Sequence, residues 1–349
     1  MNIKNKGNRD FLFMVTFIFF FFRLKIIIFV RIIIGDKMQA KPFIQWAGGK
    51  RKLLNQIRMH YPIELYTGEI DKYIEPFVGG GAVFFDVMQN FNIKSAYISD
   101  VNKDLIMAYK VVQQKPEQLC DYLEQVQREY LEITKDKKAY FLMVREQYNN
   151  ERFEIDYKHF NDKWIKRTSQ FMFLVKYSYN SLCEYNSKGG FNVPFGRKGN
   201  MKLYNRKNIL AVSRLLQNVE IRLATYSECY NEVTSNSFVY LDPPYRPITK
   251  AAHRKLYTEI VFTDEDQKKL SDFFRRLDTE KNAKLMLSNS DPKNTNPNDN
   301  FFETIYEGYN IHRIEAYRLI CPDVTKRGKV TELLITNYKQ EPNQLYSFF

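Results

Sequence analysis

After residue 38, short apolar runs take turns with segments that are apolar at every third or fourth position. Tyr73-Ile74, Ala96-Tyr97-Ile98, Val219 to Ala224, Val239-Tyr240-Leu241 and Leu285-Met286-Leu287 are short enough to be strands. Between them, Leu53, Leu54 and Ile57, then Ala82-Val83-Phe84-Phe85, then Leu105 and Ile106, then Ile209 to Leu216, then Leu270, Phe273, Phe274 and Leu277 fit helical spacing. Strands separated by helices predict an open α/β sheet. Residues 105–175 break the alternation: Leu119, Tyr122, Leu123, Val126 and Tyr130 keep helical spacing and no strand pattern intervenes. Ile311 to Ile320 and Val330 to Tyr338 read as two terminal strands, and the Asn/Pro/Asp-rich residues 291–300 as a flexible loop.

The chemistry concentrates where strands stop. Val239-Tyr240-Leu241 runs into Asp242-Pro243-Pro244-Tyr245. Proline has no N–H to give a sheet, so the strand ends there and the turn is stiff. In an open α/β sheet ligands bind at this edge. A carboxylate, the Pro243 carbonyl and the flat face of Tyr245 would suit a planar base carrying an exocyclic amine. The bland alternative is a Pro-Pro turn with a capping Asp.

A second strand, Lys72 to Glu75, runs through Pro76-Phe77-Val78 into Gly79-Gly80-Gly81 and then a helix. Strand, glycine turn and helix N-terminus form a nucleotide-binding layout, although this is neither GxGxxG nor a P-loop. The next strand ends on Asp100, which either caps the following helix or holds ribose hydroxyls. Trp46-Ala47-Gly48-Gly49-Lys50 is a further glycine turn before a helix.

Composition narrows the partner. The chain carries a net charge of +13, which points to a polyanion. Cys120, Cys183, Cys229 and Cys321 are scattered, with no CxxC and no His at ligand spacing. That argues against a structural zinc and for a reducing compartment. Residues 1–37 differ from the rest: Phe11 to Phe22, apolar but for Thr16, is uncharged for 12 residues before Arg23, Lys25 and Arg31 interrupt it. A spanning helix needs about 20 apolar residues, and no small-residue cleavage site follows. A membrane anchor, an uncleaved signal-like segment, or translated sequence upstream of a start at Met38 remain open; we favour the last. Seven Lys/Arg and two Asp/Glu lie in that segment, so the remainder still carries +8.

The stretch from Tyr177 to Lys198 combines aromatic, amide and basic residues on a Gly/Pro-rich loop or hairpin. Tyr179, Asn180, Glu184, Asn186, Lys188, Asn192, Pro194 and Arg197 are its candidate nucleic-acid contacts, because amides and cations read base edges and phosphates while aromatics wedge into stacks. A Tyr-rich loop packed on its own domain is the competing view. Lys250, His253, Arg254 and Lys255, and further on Lys326, Arg327 and Lys329, form two more basic segments.

Four blocks in this order, Trp46 to Lys50, Glu75 to Gly81, Phe191-Asn192-Val193-Pro194-Phe195-Gly196 and Asp242 to Tyr245, make the chain from Lys41 to Tyr338 resemble the Dam-like N6-adenine DNA methyltransferases. The resemblance implies a Rossmann-like α/β catalytic domain (38–106 and 206–349) interrupted by a mainly helical target-recognition domain (107–205), with 1–37 as a doubtful extension. It implies S-adenosylmethionine as methyl donor, no metal, and transfer to an adenine flipped out of double-stranded DNA. Trp46, Lys50, Phe77, Gly79, Gly81, Asp100 and Asp242 would contact the donor. Asp242, Pro243, Pro244 and Tyr245 would hold the target base. N4-cytosine transfer by the same fold and a catalytically dead DNA-binding relative are the alternatives. The expected setting is a monomer in prokaryotic or phage-infected cytoplasm, with no membrane partner and a restriction endonuclease acting separately.

Three positions depart from relatives that read GATC. Gln45 stands where they have Lys, Glu184 where they have Arg, and Gly190 where they have an acid. Arg pairs best with guanine while Glu accepts from cytosine, so the expected target is not GATC.

Overall fold

The computed structural model describes residues 39–133, 135–197, 199, 201–247, 262–317 and 329–339. The reading of residues 1–37 and the basic segments at Lys250–Lys255 and Lys326–Arg327 fall outside the described residues.

Seven strands among the described residues form one sheet: β1 (Lys72–Glu75), β2 (Ser95–Asp100), β3 (Val219–Leu223), β4 (Ser237–Leu241), β5 (Lys284–Ser290), β6 (Asn310–Tyr317) and β7 (Lys329–Thr336). Their order is β3-β2-β1-β4-β5-β7-β6. The first five are parallel, and β7 inserts antiparallel between β5 and β6. The order reverses between β1 and β4, which opens a crevice at the carboxyl ends of those two strands. Both predicted terminal strands are present.

Residue alternation distributes the central strands over two cores. Tyr73, Ile98, Tyr240 and Met286 join one hydrophobic cluster, while Ile74, Val239, Leu241, Leu285 and Leu287 join another with Phe273, Phe274 and Leu277. The short helices α1 (Leu54–Arg58) and α2 (Ile63–Thr67) precede β1, and α3 (Ala82–Asn90) follows its glycine turn. Between β2 and β3 the chain runs through α4 (Lys103–Gln114), α5 (Pro116–Arg128), α6 (Lys137–Glu151), α7 (Lys163–Tyr177) and α8 (Arg206–Leu216). Helix α4 crosses residue 107, and Leu119, Phe141 and Phe173 of the helical stretch share the first cluster with the sheet residues. Helix α9 (Asp264–Lys281) starts on a capping box between Thr263 and Asp266 and has three acids in its first turn, which suits the positive end of the helix dipole. A last short helix, α10 (Phe301–Ile305), precedes β6.

Residues 291–300 are tied down rather than loose. Asp291, 1% exposed, accepts hydrogen bonds from Thr331 Oγ1 (2.6 Å) and Arg313 Nε (2.9 Å). Asn294 Nδ2 donates to the Thr331 carbonyl at 2.8 Å. Asp291 and Asn294 of this stretch are bonding partners for β6 and β7, which composition alone does not distinguish from solvated residues. Among the described residues no helix is long and apolar enough to cross a membrane, and no group of three or more His, Cys, Asp or Glu could hold a metal ion. Cys120 and Cys229 are buried free thiols and Cys183 is half-buried; Cys321 lies outside the described residues.

Candidate active site

Every residue of β4 is buried, and Pro243-Pro244 ends it at the crevice. Asp242 therefore projects from the sheet edge on a stiff turn. A relay holds that turn: Gln267 Nε2 of α9 donates to the Pro244 carbonyl at 3.0 Å, Asn289 Nδ2 of β5 donates to Gln267 Oε1 at 3.0 Å, and the Arg246 N–H donates to Asn289 Oδ1 at 3.1 Å. It is Pro244 whose carbonyl this relay occupies, not Pro243, the acceptor expected to face a substrate.

Lys50 reaches this edge from 192 residues away. Its ammonium, on a side chain 5% exposed, donates to Asp242 Oδ2 at 2.7 Å and to the Gly48 carbonyl at 2.8 Å, and lies 4.7 Å from the Tyr245 ring centroid. Asp242 Oδ1 is buried and has no hydrogen-bond partner among the described residues. Such an oxygen is costly unless something arrives to donate to it. Burial pushes the Asp242 carboxyl above its ordinary pKa, the Lys50 charge and hydrogen bond pull it back, and the charge of Glu332 adds to the rise. Beneath, Glu75 is 2% exposed and accepts from Tyr73 Oη at 2.7 Å. Burial raises its pKa well above its ordinary value, and the hydrogen bond from Tyr73 opposes that rise.

The glycine turn after β1 forms the adjacent wall. Gly79 has φ +46° and Gly81 φ +69°. A Cβ on Gly79 would come within 2.9 Å of the Trp46 ring, and one on Gly81 within 2.6 Å of Tyr109 Oη. Only glycine meets both demands. Trp46 thus lies against the turn, and Phe77 stacks on Tyr226 at 5.4 Å. Asp100 braces the turn: its Oδ2 accepts from the Gly79 N–H at 3.1 Å and its Oδ1 from the Asn102 N–H at 2.9 Å. The helix cap considered for Asp100 belongs instead to Asn102, whose Oδ1 accepts from the Leu105 N–H at 3.0 Å. A carboxylate has further lone pairs, so the brace leaves Asp100 capacity for a hydroxyl.

The 178–196 segment is a hairpin, bridged at Ser178↔Phe195 and Tyr185↔Phe191. Side chains alternate across it. Phe191 and Val193 are buried and Tyr185 is half-buried, while Glu184, Asn186, Lys188, Asn192 and Pro194 are exposed. Tyr185 Oη donates to Asp104 Oδ2 at 2.8 Å, and Asn149 clasps Phe191 through its Nδ2 (3.0 Å) and Oδ1 (2.7 Å). One face of the hairpin packs on the protein and the other is open to solvent. Asn186 is partly committed to the fold, since its Oδ1 accepts from the Lys188 and Gly190 N–H groups. Tyr179 (54% exposed), Asn180 and Arg197 are open to solvent. Gln45 joins them at the hairpin root, its Oε1 accepting from Ser181 Oγ at 2.7 Å. Arg246 is spent on Asp264 (2.7 Å) and Asp299 (2.9 Å).

A sheet with this strand order, a carboxylate-Pro-Pro-aromatic turn at its switch point and a glycine turn beside it agree with the comparison of whole sequences. The family model described as D12 class N6 adenine-specific DNA methyltransferase matches residues 46–320. The chain belongs to this family. A Type II methyltransferase of Methanocaldococcus jannaschii is 43% identical over 303 residues, covering 86% of this chain and 100% of that protein. A Type II methyltransferase of Lactococcus lactis subsp. cremoris is 35% identical over 305 residues, covering 87% and 97%. The DNA adenine methylase of Escherichia coli is 30% identical over 294 residues, covering 84% and 94%.

Seen as a D12 class methyltransferase, the chain holds residues at its site that no local motif announced. Glu332, Gln267 and Asn289 hold the Asp-Pro-Pro-Tyr turn through Tyr245 Oη, the Pro244 carbonyl and the Arg246 N–H. Gln267 carried a faint signal, a polar residue one turn before Leu270 on the face of α9 that also holds Ser271, Phe274 and Leu277.

Proposed function

We propose that the protein transfers the methyl group of S-adenosylmethionine to N6 of an adenine swung out of duplex DNA. The observation that carries this reading is Asp242: one oxygen held by Lys50, the other buried without a partner, beside an aromatic ring at the sheet's switch point. The donor supplies an electrophilic methyl on a sulfonium. Its fit rests on the cradle of Gly79 and Gly81 against Trp46, on Phe77, and on the residual acceptor capacity of Asp100.

An adenine amine is a poor nucleophile because its lone pair is delocalised into the ring. Asp242 Oδ1 and the Pro243 carbonyl accept its two hydrogens and favour a tetrahedral nitrogen. Tyr245 offers the ring on which the base stacks. The residues act by positioning and preorganised charge, without a covalent enzyme intermediate. Flipping costs a few kcal/mol, offset by contacts to phosphates. The helical segment 107–205 presents the hairpin whose exposed row of Glu184, Asn186, Lys188 and Asn192 reads bases, with Gln45, Tyr179, Asn180, Pro194 and Arg197 around it. The protein works as a cytoplasmic monomer, and the Type II names of two relatives favour a restriction–modification setting.

The test is a methylome of a host expressing the gene, with mass spectrometry of its nucleosides. N6-methyladenine at one motif other than GATC is expected. N4-methylcytosine, or no modified base, would overturn the reading; methylation confined to GATC would overturn the inference from Gln45, Glu184 and Gly190.

The pH profile follows from Asp242. It accepts most strongly, and through both oxygens, when ionised, and burial raises its pKa. Turnover should therefore fall, on acidification, at a higher pH than an exposed carboxylate would impose. Lys50→Met removes the cation that holds the pKa down, so the acid limb should move further up. An acid limb that stays put in Lys50→Met would contradict this assignment.

A further inference from the structure

Tyr245 is held at both ends. Its backbone belongs to the Pro-Pro turn, and its hydroxyl donates to Glu332 Oε2 on β7 at 2.7 Å. Glu332 is half-buried and lies in register with Ser290 of β5 and Ile314 of β6. A neutral acceptor would hold a hydroxyl with less cost here, because the Glu332 charge opposes ionisation of Asp242. A charged acceptor makes a stronger bond and increases the electron density of the phenol ring, which has the Lys50 ammonium 4.7 Å from its centroid.

We propose that Glu332 is a positioning residue for methyl transfer: through Tyr245 Oη it fixes the axis of the ring on which the extruded base stacks. This rests on the functional reading above. Without the bond the side chain can swing about χ1, and the base loses a defined platform although the pocket remains. The phenolic O–H lies in the ring plane, so an acceptor fixed by β7 also favours one ring orientation.

The experiment compares Glu332→Ala, Glu332→Gln, Tyr245→Phe and the Ala/Phe double variant on a duplex carrying the motif read from the methylome. Glu332→Ala and Tyr245→Phe should each lower kcat about tenfold while KM for the donor stays within about twofold, and the double variant should lose no more than either alone, as expected for two residues acting through one bond. Glu332→Gln keeps a carbonyl acceptor and should recover to within about threefold of the unsubstituted protein. With 2-aminopurine at the target position, both single variants should brighten more on binding, because stacking on the ring quenches the flipped base. Losses that multiply in the double variant, or unchanged turnover and fluorescence in Glu332→Ala, overturn the proposal. Should Glu332→Ala not fold, Tyr245→Phe leaves β7 untouched and probes the same bond; unchanged turnover and fluorescence there overturn it equally. If the unsubstituted protein makes no N6-methyladenine, the functional reading fails and this proposal with it; if it does and the variants match it, the proposal alone fails.

Discussion

Asp242→Ala should lower turnover by roughly two to three orders of magnitude, the range seen when one preorganised partner of a developing charge is removed. The carboxylate has two tasks in the proposed mechanism. Oδ1 is the buried atom that awaits a donor, and Oδ2 anchors the Lys50 ammonium. Alanine removes both. Lys50 keeps the Gly48 carbonyl, so the glycine loop retains one tie. The hairpin and its exposed row are held by Asp104 and Asn149, not by Asp242. DNA affinity should accordingly stay within about twofold while single-turnover methylation collapses. Filter binding and single-turnover kinetics on the same preparation check both halves. A turnover loss under about threefold, which is below ~1 kcal/mol, would remove Asp242 from the chemistry.

The largest effect on stability should come from Asp104→Ala. Asp104 and Arg167 form an ion pair at 2.9 Å with side chains 1% and 3% exposed. The same carboxylate accepts from Tyr157 Oη at 3.0 Å and Tyr185 Oη at 2.8 Å. It therefore joins α4, α7 and the hairpin around one buried charge. Removing it strands the Arg167 guanidinium away from water and leaves two phenols without this acceptor, at a cost of about 3–5 kcal/mol. That is a large part of the ~5–15 kcal/mol that holds a typical domain together. Replacing both partners, Asp104→Leu with Arg167→Met, should cost less than the single change because no charge is stranded. Urea midpoints at constant slope measure this. A shift under about 1 kcal/mol for Asp104→Ala would show that water reaches Arg167 in the native protein.

Much of this architecture was legible along the chain because its signals are local. Two prolines after an apolar run can only end a strand. Three glycines between a strand and a helix mark a tight turn whose backbone angles exclude other residues, and Gly79 and Gly81 show both constraints. The stretch from Tyr177 to Lys198 read as a loop or hairpin, and which of its side chains face solvent came only from the structure. The chain could be read less well where one residue type serves two ends. Asp291 and Asn294 read as part of a flexible loop but bond β6 and β7. Asp100 looked like a cap or a ribose ligand but first braces Gly79, and the cap fell to Asn102.

What the sequence determined by itself was the set of strands and helices, the candidate edge at Asp242-Pro243-Pro244-Tyr245 and a positive charge suited to a polyanion, since periodicity, breakers and charge act over a few residues or sum over all of them. Only the tertiary structure decided which distant side chains share a bond: Lys50 with Asp242 across 192 residues, Tyr245 with Glu332 across 87, Tyr185 with Asp104 across 81. Those pairings depend on strand order and register, and neither leaves a mark on the neighbouring residues of the chain.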